Sequence, residues 1–225
     1  LMTLDELQAN IDFLAAVGAF DPRRPVYVSD PLTRLRAQEG SQYLTLLRQQ
    51  GLLLEKDPFA LCYQARYQDA RVGRIAEMTA LWSQEIFPLV YALKNRVSRL
   101  SMQAVQNTER RVLEKILNQC KLLDFYYLKG LTGLIRKDRA VNAFTHEMRC
   151  QRMDLVELLA KVTEHLPSLK DPQLTRELDR FRESGGRHLP RPAQRNPLSS
   201  FGITPNPEWG ISENEWQQLK EGAYV

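Results

Sequence analysis

Between Gly51 and Gly130 the chain holds one further glycine, Gly73. So long a stretch with almost no conformationally permissive residue favours long helices, because glycine is both the weakest ordinary helix former and the commonest helix stop. Apolar residues recur in it at intervals of three and four. Ile75, Met78, Leu81, Trp82, Ile86, Leu89, Val90, Leu93, Val97 and Leu100 make one stripe of a helix over 72–100. Pro88 lies inside that stripe and predicts a kink or a break. A second helix starts at Ser101 or Thr108 and carries Val105, Val112, Ile116, Leu117, Cys120, Leu123 and Tyr127, ending near Leu128 with Gly130 and Gly133 beyond it. A third, over 138–166, carries Val141, Phe144, Met148, Met153, Val156, Leu159, Val162 and Leu166 and stops at Pro167. Leu174, Leu178 and Phe181 predict a short charged helix over 168–184. The expectation for 70–183 is an antiparallel helical bundle, or long arms that pair two chains as a homo-oligomer.

The first 67 residues read differently. Thr3 and Glu6 form a capping box for a helix over 3–17, with Leu4, Leu7, Ile11 and Leu14 on one face and Gly18 as its stop. Val26 to Val28 is a short β-prone run, and Asp30-Pro31 starts a short helix. Ser41 caps another, which ends at Gly51; Leu52 to Glu55 and the alternating run from Phe59 to Tyr67 read as two strands around the turn Lys56-Asp57-Pro58. That order, with Tyr43-Leu44-Thr45-Leu46-Leu47-Arg48-Gln49-Gln50-Gly51-Leu52-Leu53 as its carrying motif, resembles a winged-helix domain over 3–67. The resemblance implies a small α+β module at the front of a mostly α chain. It also implies that Gln42, Arg48 and Gln49 would face a DNA groove, since glutamine and arginine can read base edges. A winged helix followed by a helical neck is also similar to the N-terminal region of bacterial kleisins.

Charge is unevenly distributed. The net charge is +4, yet 94–139 alone holds 11 basic and 4 acidic residues. Arg110, Arg111, Lys115, Arg136, Lys137 and Arg139 are the members singled out as a phosphate-contacting face. The acidic Glu55 and Asp57 in the wing argue for protein contacts instead.

Composition shifts after 183. Five prolines, three glycines and three arginines over 184–207 describe an extended linker. A tail over 208–225 follows. Phe201, Trp209, Trp216, Leu219 and Tyr224 are large apolar residues that predict docking, either on this chain's own body or in a partner's groove.

Catalytic signatures are scarce in the sequence. No Walker loop, GxGxxG, GxSxG or HExxH is present, so neither a catalytic site nor a cofactor is expected. His146 and Cys150 stand at i, i+4 without a second ligand pair, and no metal site is expected. Three widely spaced cysteines suit a reducing cytoplasm rather than a disulfide framework. The longest apolar runs fall short of the ~18 residues of a membrane span, so no membrane insertion is expected. Two functional readings follow. One is a non-enzymatic, DNA-associated subunit of a larger assembly. The other is a structural adaptor of a cytoplasmic complex, such as a secretion machine or a viral particle, with protein partners and no nucleic-acid role.

Overall fold

A computed structural model describes residues 2–21, 37–54, 56, 63–102, 107–166, 169–185, 196–204 and 214. Six helices occupy most of them: α1 (Leu4–Ala16), α2 (Gln42–Gln49), α3 (Ala70–Met102), α4 (Asn107–Arg136), α5 (Asn142–His165) and α6 (Pro172–Gly185), with a 3-10 turn at Leu198–Phe201. The chain is mostly helical, as expected. The capping box forms as read, with the Thr3 and Glu6 side chains each accepting from the other's backbone N–H. Ser41 Oγ accepts from Leu44 N at 3.2 Å at the start of α2.

Helix α3 runs unbroken through Pro88. The α4 helix passes through Gly130 and Gly133, eight residues beyond its expected end. Packing explains Gly130: a Cβ there would lie 2.3 Å from Phe144 Cζ and 2.8 Å from Ile203 Cδ1, so α5 and the 196–204 segment approach α4 only because no side chain intervenes. The turn into α5 is made by Asp138 in the left-handed region, at φ 50°, which delays that helix to Asn142.

The bundle has two apolar cores stacked along its length. At one end α3's C-terminal half, α4's N-terminal half, α5's C-terminal half and α6 bury Leu93, Leu100, Leu113, Ile116, Leu159 and Leu174. At the other, α1 joins the remaining halves around Trp82, Phe125, Tyr127 and Phe144. Such pairing of opposite halves makes α3 antiparallel to α4, and α4 to α5. Rings stack in the second core: Phe20 on Phe125 at 4.5 Å, Trp82 on Tyr127 at 4.3 Å, and Tyr127 beside Phe144 at 5.8 Å.

The 3–67 module requires correction. Leu4, Leu7 and Ile11 of α1 are buried in the aromatic core of the bundle, whereas Leu44 and Leu47 of α2 close a separate small core with Ala37. Among the described residues there is no regular strand. Two isolated antiparallel bridges, Ala37 with Tyr63 and Leu53 with Ala65, stand where strands were expected. They mark a hairpin-like pairing, in which Leu54 N donates to Gln64 O and Arg66 N to Leu52 O. The α+β winged-helix domain therefore does not emerge as one unit, because the bundle claims the apolar face of α1. The β-prone run at 26–28 and the short helix after Asp30 lie outside the described residues, as do Asp57 and Pro58 of the wing.

Candidate functional site

The nine residues proposed for DNA fall in three places. Gln42, Arg48 and Gln49 are exposed on α2, and Arg48 is engaged by Glu39 at 3.6 Å and lies over the Tyr63 ring at 5.8 Å. Arg110, Arg111 and Lys115 lie on the first turns of α4. Arg110 Nε pairs with Glu114 at 3.0 Å, and partial burial pulls the Lys115 ammonium pKa down. Arg136, Lys137 and Arg139 sit at the opposite end of α4, exposed, with Arg136 bonded to Asp5 at 2.9 Å. At 1.5 Å per residue the two α4 groups are roughly 40 Å apart. Between them Lys121 is fully buried and donates to the Asp21 carbonyl at 3.2 Å, while Lys129 lies half-buried near the Phe125 ring. The continuous basic face expected over 94–139 is thus divided, because the middle of α4 faces the core.

Between the two apolar cores lies a polar waist. Trp82 Nε1 donates to Asp124 Oδ1 at 2.8 Å, and the Arg152 guanidinium stacks on the Trp82 ring with its carbon 3.1 Å from the centroid. Arg152 Nη1 donates to Glu85 Oε2 at 3.2 Å, and Arg149 also binds Glu85. Arg152 Nη2 has no hydrogen-bond acceptor among the described residues, Asp124 Oδ1 standing 3.9 Å away. Burial lowers the Arg152 pKa to about 10, with Asp124 and Glu85 opposing the shift. Burial, reinforced by Asp124, pushes the adjacent Cys120 thiol up to about 12. A thiol so protonated is a poor nucleophile at neutral pH, and these charged groups serve one another. Cys120 and Cys150 are both buried thiols. His146 Nε2 is 3.8 Å from Cys150 Sγ, and among the described residues no group of three or more His, Cys, Asp or Glu could hold a metal.

Outside the waist α3 exposes apolar residues among polar ones, Gln84 and Glu85. Leu81, Phe87 and Tyr91 of α3 are 62%, 55% and 51% exposed, and Ala80 and Pro88 beside them also face solvent. Phe87 and Tyr91 stack on each other at 6.0 Å, one turn apart. Leu81 and Trp82 were both expected in the inner stripe; Trp82 lies inside, its indole N–H bonded to Asp124, and Leu81 does not. The signal available in the sequence was the pair Phe87 and Tyr91, two aromatics at i, i+4 that the inner stripe leaves out.

Of the proposed docking residues, Phe201 packs against the aromatic core, with its ring 5.3 Å from Phe144. Leu198 and Ile203 are buried beside it, and Asn196 N donates to Glu147 Oε2 at 3.3 Å. So 196–204, read as the end of a linker, is a strap bound to α4 and α5, held by three apolar anchors that the proline content overshadowed. Trp209, Trp216, Leu219 and Tyr224 lie outside the described residues. Among the described residues no helix is long and apolar enough to cross a membrane. No protein-family model, no curated protein and no solved structure matches this chain.

Proposed function

We propose that this chain is a non-enzymatic docking subunit of a larger protein assembly and binds its partner through the outer face of α3. One observation carries the reading: Leu81, Phe87 and Tyr91 are more than half exposed on a helix whose inner face is fully packed. An exposed aromatic pair with Leu81, Ala80 and Pro88 near it, interrupted by the polar Gln84 and Glu85, has the mixed apolar and polar composition of an interface. The polar waist beneath it holds α3 in one position, giving that face a rigid backing.

The test places a photo-crosslinking residue, p-benzoylphenylalanine, at Phe87 of the full chain in its host cell. A discrete protein adduct is expected at Phe87 and none at Arg180, which is exposed on α6. Adding Tyr91→Glu should abolish the adduct while leaving the melting temperature unchanged within about 2 °C, since surface changes stay within about 0.5 kcal/mol. No adduct at Phe87 would remove the reading.

A DNA-contacting role, built on a winged-helix-like arrangement around α2, is the second reading. Its support is the common exposure of Gln42, Arg48 and Gln49 on one short helix backed by the two bridges. Duplex binding that weakens steeply with salt and is lost in Arg48→Glu would establish it. Absence of binding at low salt would dismiss it for this chain.

A further inference from the structure

The outer face of α3 is complementary to itself. Its exposed positions Glu77, Ala80, Gln84, Phe87, Tyr91 and Lys94 follow one another at steps of three, four, three, four and three. That is the alternation of a helix seam, and Leu81 and Pro88 border it. Reversed and laid on itself about a point between Glu85 and Ile86, the series pairs Glu77 with Lys94, Ala80 with Tyr91 and Gln84 with Phe87. Each end then meets the opposite charge, and the small Ala80 receives the large Tyr91 ring. Parallel pairing would set Glu77 against Glu77 and Lys94 against Lys94. Neither Glu77 nor Lys94 makes an ion pair among the described residues, so both charges are available. Pro88 has no N–H to give the Gln84 carbonyl, which leaves an acceptor near the centre of the seam.

We infer that the partner at this face is a second copy of the chain, paired α3 to α3 in antiparallel sense about a two-fold axis. The inference rests on the docking reading and names its occupant. A two-fold interface requires one patch to match its own reversed image. Charge, side-chain size and spacing on this helix all do so in a single register.

Sedimentation equilibrium of the full 225-residue chain tests it. The wild type is expected to dimerise, and Phe87→Glu with Tyr91→Glu to be monomeric. Glu77→Lys alone sets like charges opposite each other at two equivalent contacts and should raise the dimer Kd about tenfold. Glu77→Lys with Lys94→Glu exchanges the charges and should restore the wild-type Kd. No surface-area effect would produce that rescue. A dimer indifferent to Glu77→Lys, or one not rescued by the exchange, would overturn the antiparallel register. A monomeric wild type would overturn the second copy altogether. If that monomer still yields a crosslink at Phe87 to another protein, the docking reading survives without this occupant; with no crosslink, both fall.

Discussion

The two ends of the bundle are packed on different principles. The α6 end is aliphatic: leucine, isoleucine and valine fill most of it. At the α1 end the core is aromatic, and the rings need accommodation that leucine does not. Gly130 lets Phe144 and Ile203 against α4, and the Trp82 indole has a carboxylate to bond. An aliphatic core is tolerant of shape, while an aromatic one fixes its neighbours. The waist between them holds Asp124 and Arg152, both nearly sealed from water. Its geometry joins all three long helices: Trp82 and Glu85 come from α3, Asp124 from α4 and Arg152 from α5.

The largest effect expected is therefore at the waist. Arg152→Met should cost about 3–5 kcal/mol in urea denaturation, because it leaves the Asp124 carboxylate buried without its cation. Pairing it with Asp124→Asn should recover most of that loss, since an amide oxygen still accepts from Trp82. If the double variant is no better than the single, the loss came from the packing of the guanidinium on Trp82 rather than from the stranded charge.

Next comes the aliphatic end. Leu113 is fully buried there, and Leu113→Ala should destabilise by about 3 kcal/mol through lost transfer energy and a cavity. Ile116→Val, one methylene smaller, should cost about 1 kcal/mol. Graded losses of this kind are what an aliphatic core predicts, and a loss for Ile116→Val as large as for Leu113→Ala would break the contrast with the other end.

At the aromatic end the sign turns on geometry alone. Gly130→Ala drives a methyl into the Phe144 ring and should cost about 2 kcal/mol. Gly133→Ala, three residues on in the same helix with nothing within 4 Å, should instead stabilise by about 0.5–1 kcal/mol. Equal effects at the two glycines would show that α5 and the strap do not press on α4 as described.

How far this was legible follows from what each signal measures. Periodicity located all four bundle helices and most of their inward residues, because burial on one face is what a repeat of 3.6 records. It placed both Leu81 and Trp82 inside, and only Trp82 is buried, where its indole N–H meets Asp124. Capping chemistry at Thr3 and Ser41 is local and was read correctly. The described part of 3–67 gives the winged-helix resemblance no support as one unit, since it grouped residues by sequence order while α1's apolar face is taken up by helices that lie far along the chain. The basic run over 94–139 looked continuous because a charge count cannot show that Lys121 turns inward. At the candidate site, the exposed Phe87 and Tyr91 were present as an unassigned pair, but only the filled inner face of α3 makes their position outside it meaningful.

The smallest expected effect concerns how α1 is fastened to the aromatic end. Asp69 precedes α3, and its backbone carbonyl accepts from Gly73 N. Its carboxylate accepts from Arg71 N at 2.9 Å, from the Arg71 side chain, and from Leu4 N at 3.3 Å at the start of α1. These bonds, the Arg71 side chain's first among them, hold the Asp69 pKa down at about 2 from 3.8. A folded pKa below the unfolded one stabilises fully above the unfolded value and less as protons are taken up. The contribution should thus be complete above about pH 4 and lost as the pH falls towards 2. Glu6, whose pKa the Thr3 backbone bond lowers, likewise loses its part of the capping box once acid protonates it. Asp69→Asn keeps a good helix cap but not the charge, so its stability should lie slightly below wild type at pH 6 and meet it near pH 2. Thermal melts at half-unit intervals from pH 6 to pH 2 would trace the convergence. A constant gap across that range would mean that Asp69 acts through hydrogen-bond geometry alone, and that the two helices are held at this end by their apolar faces.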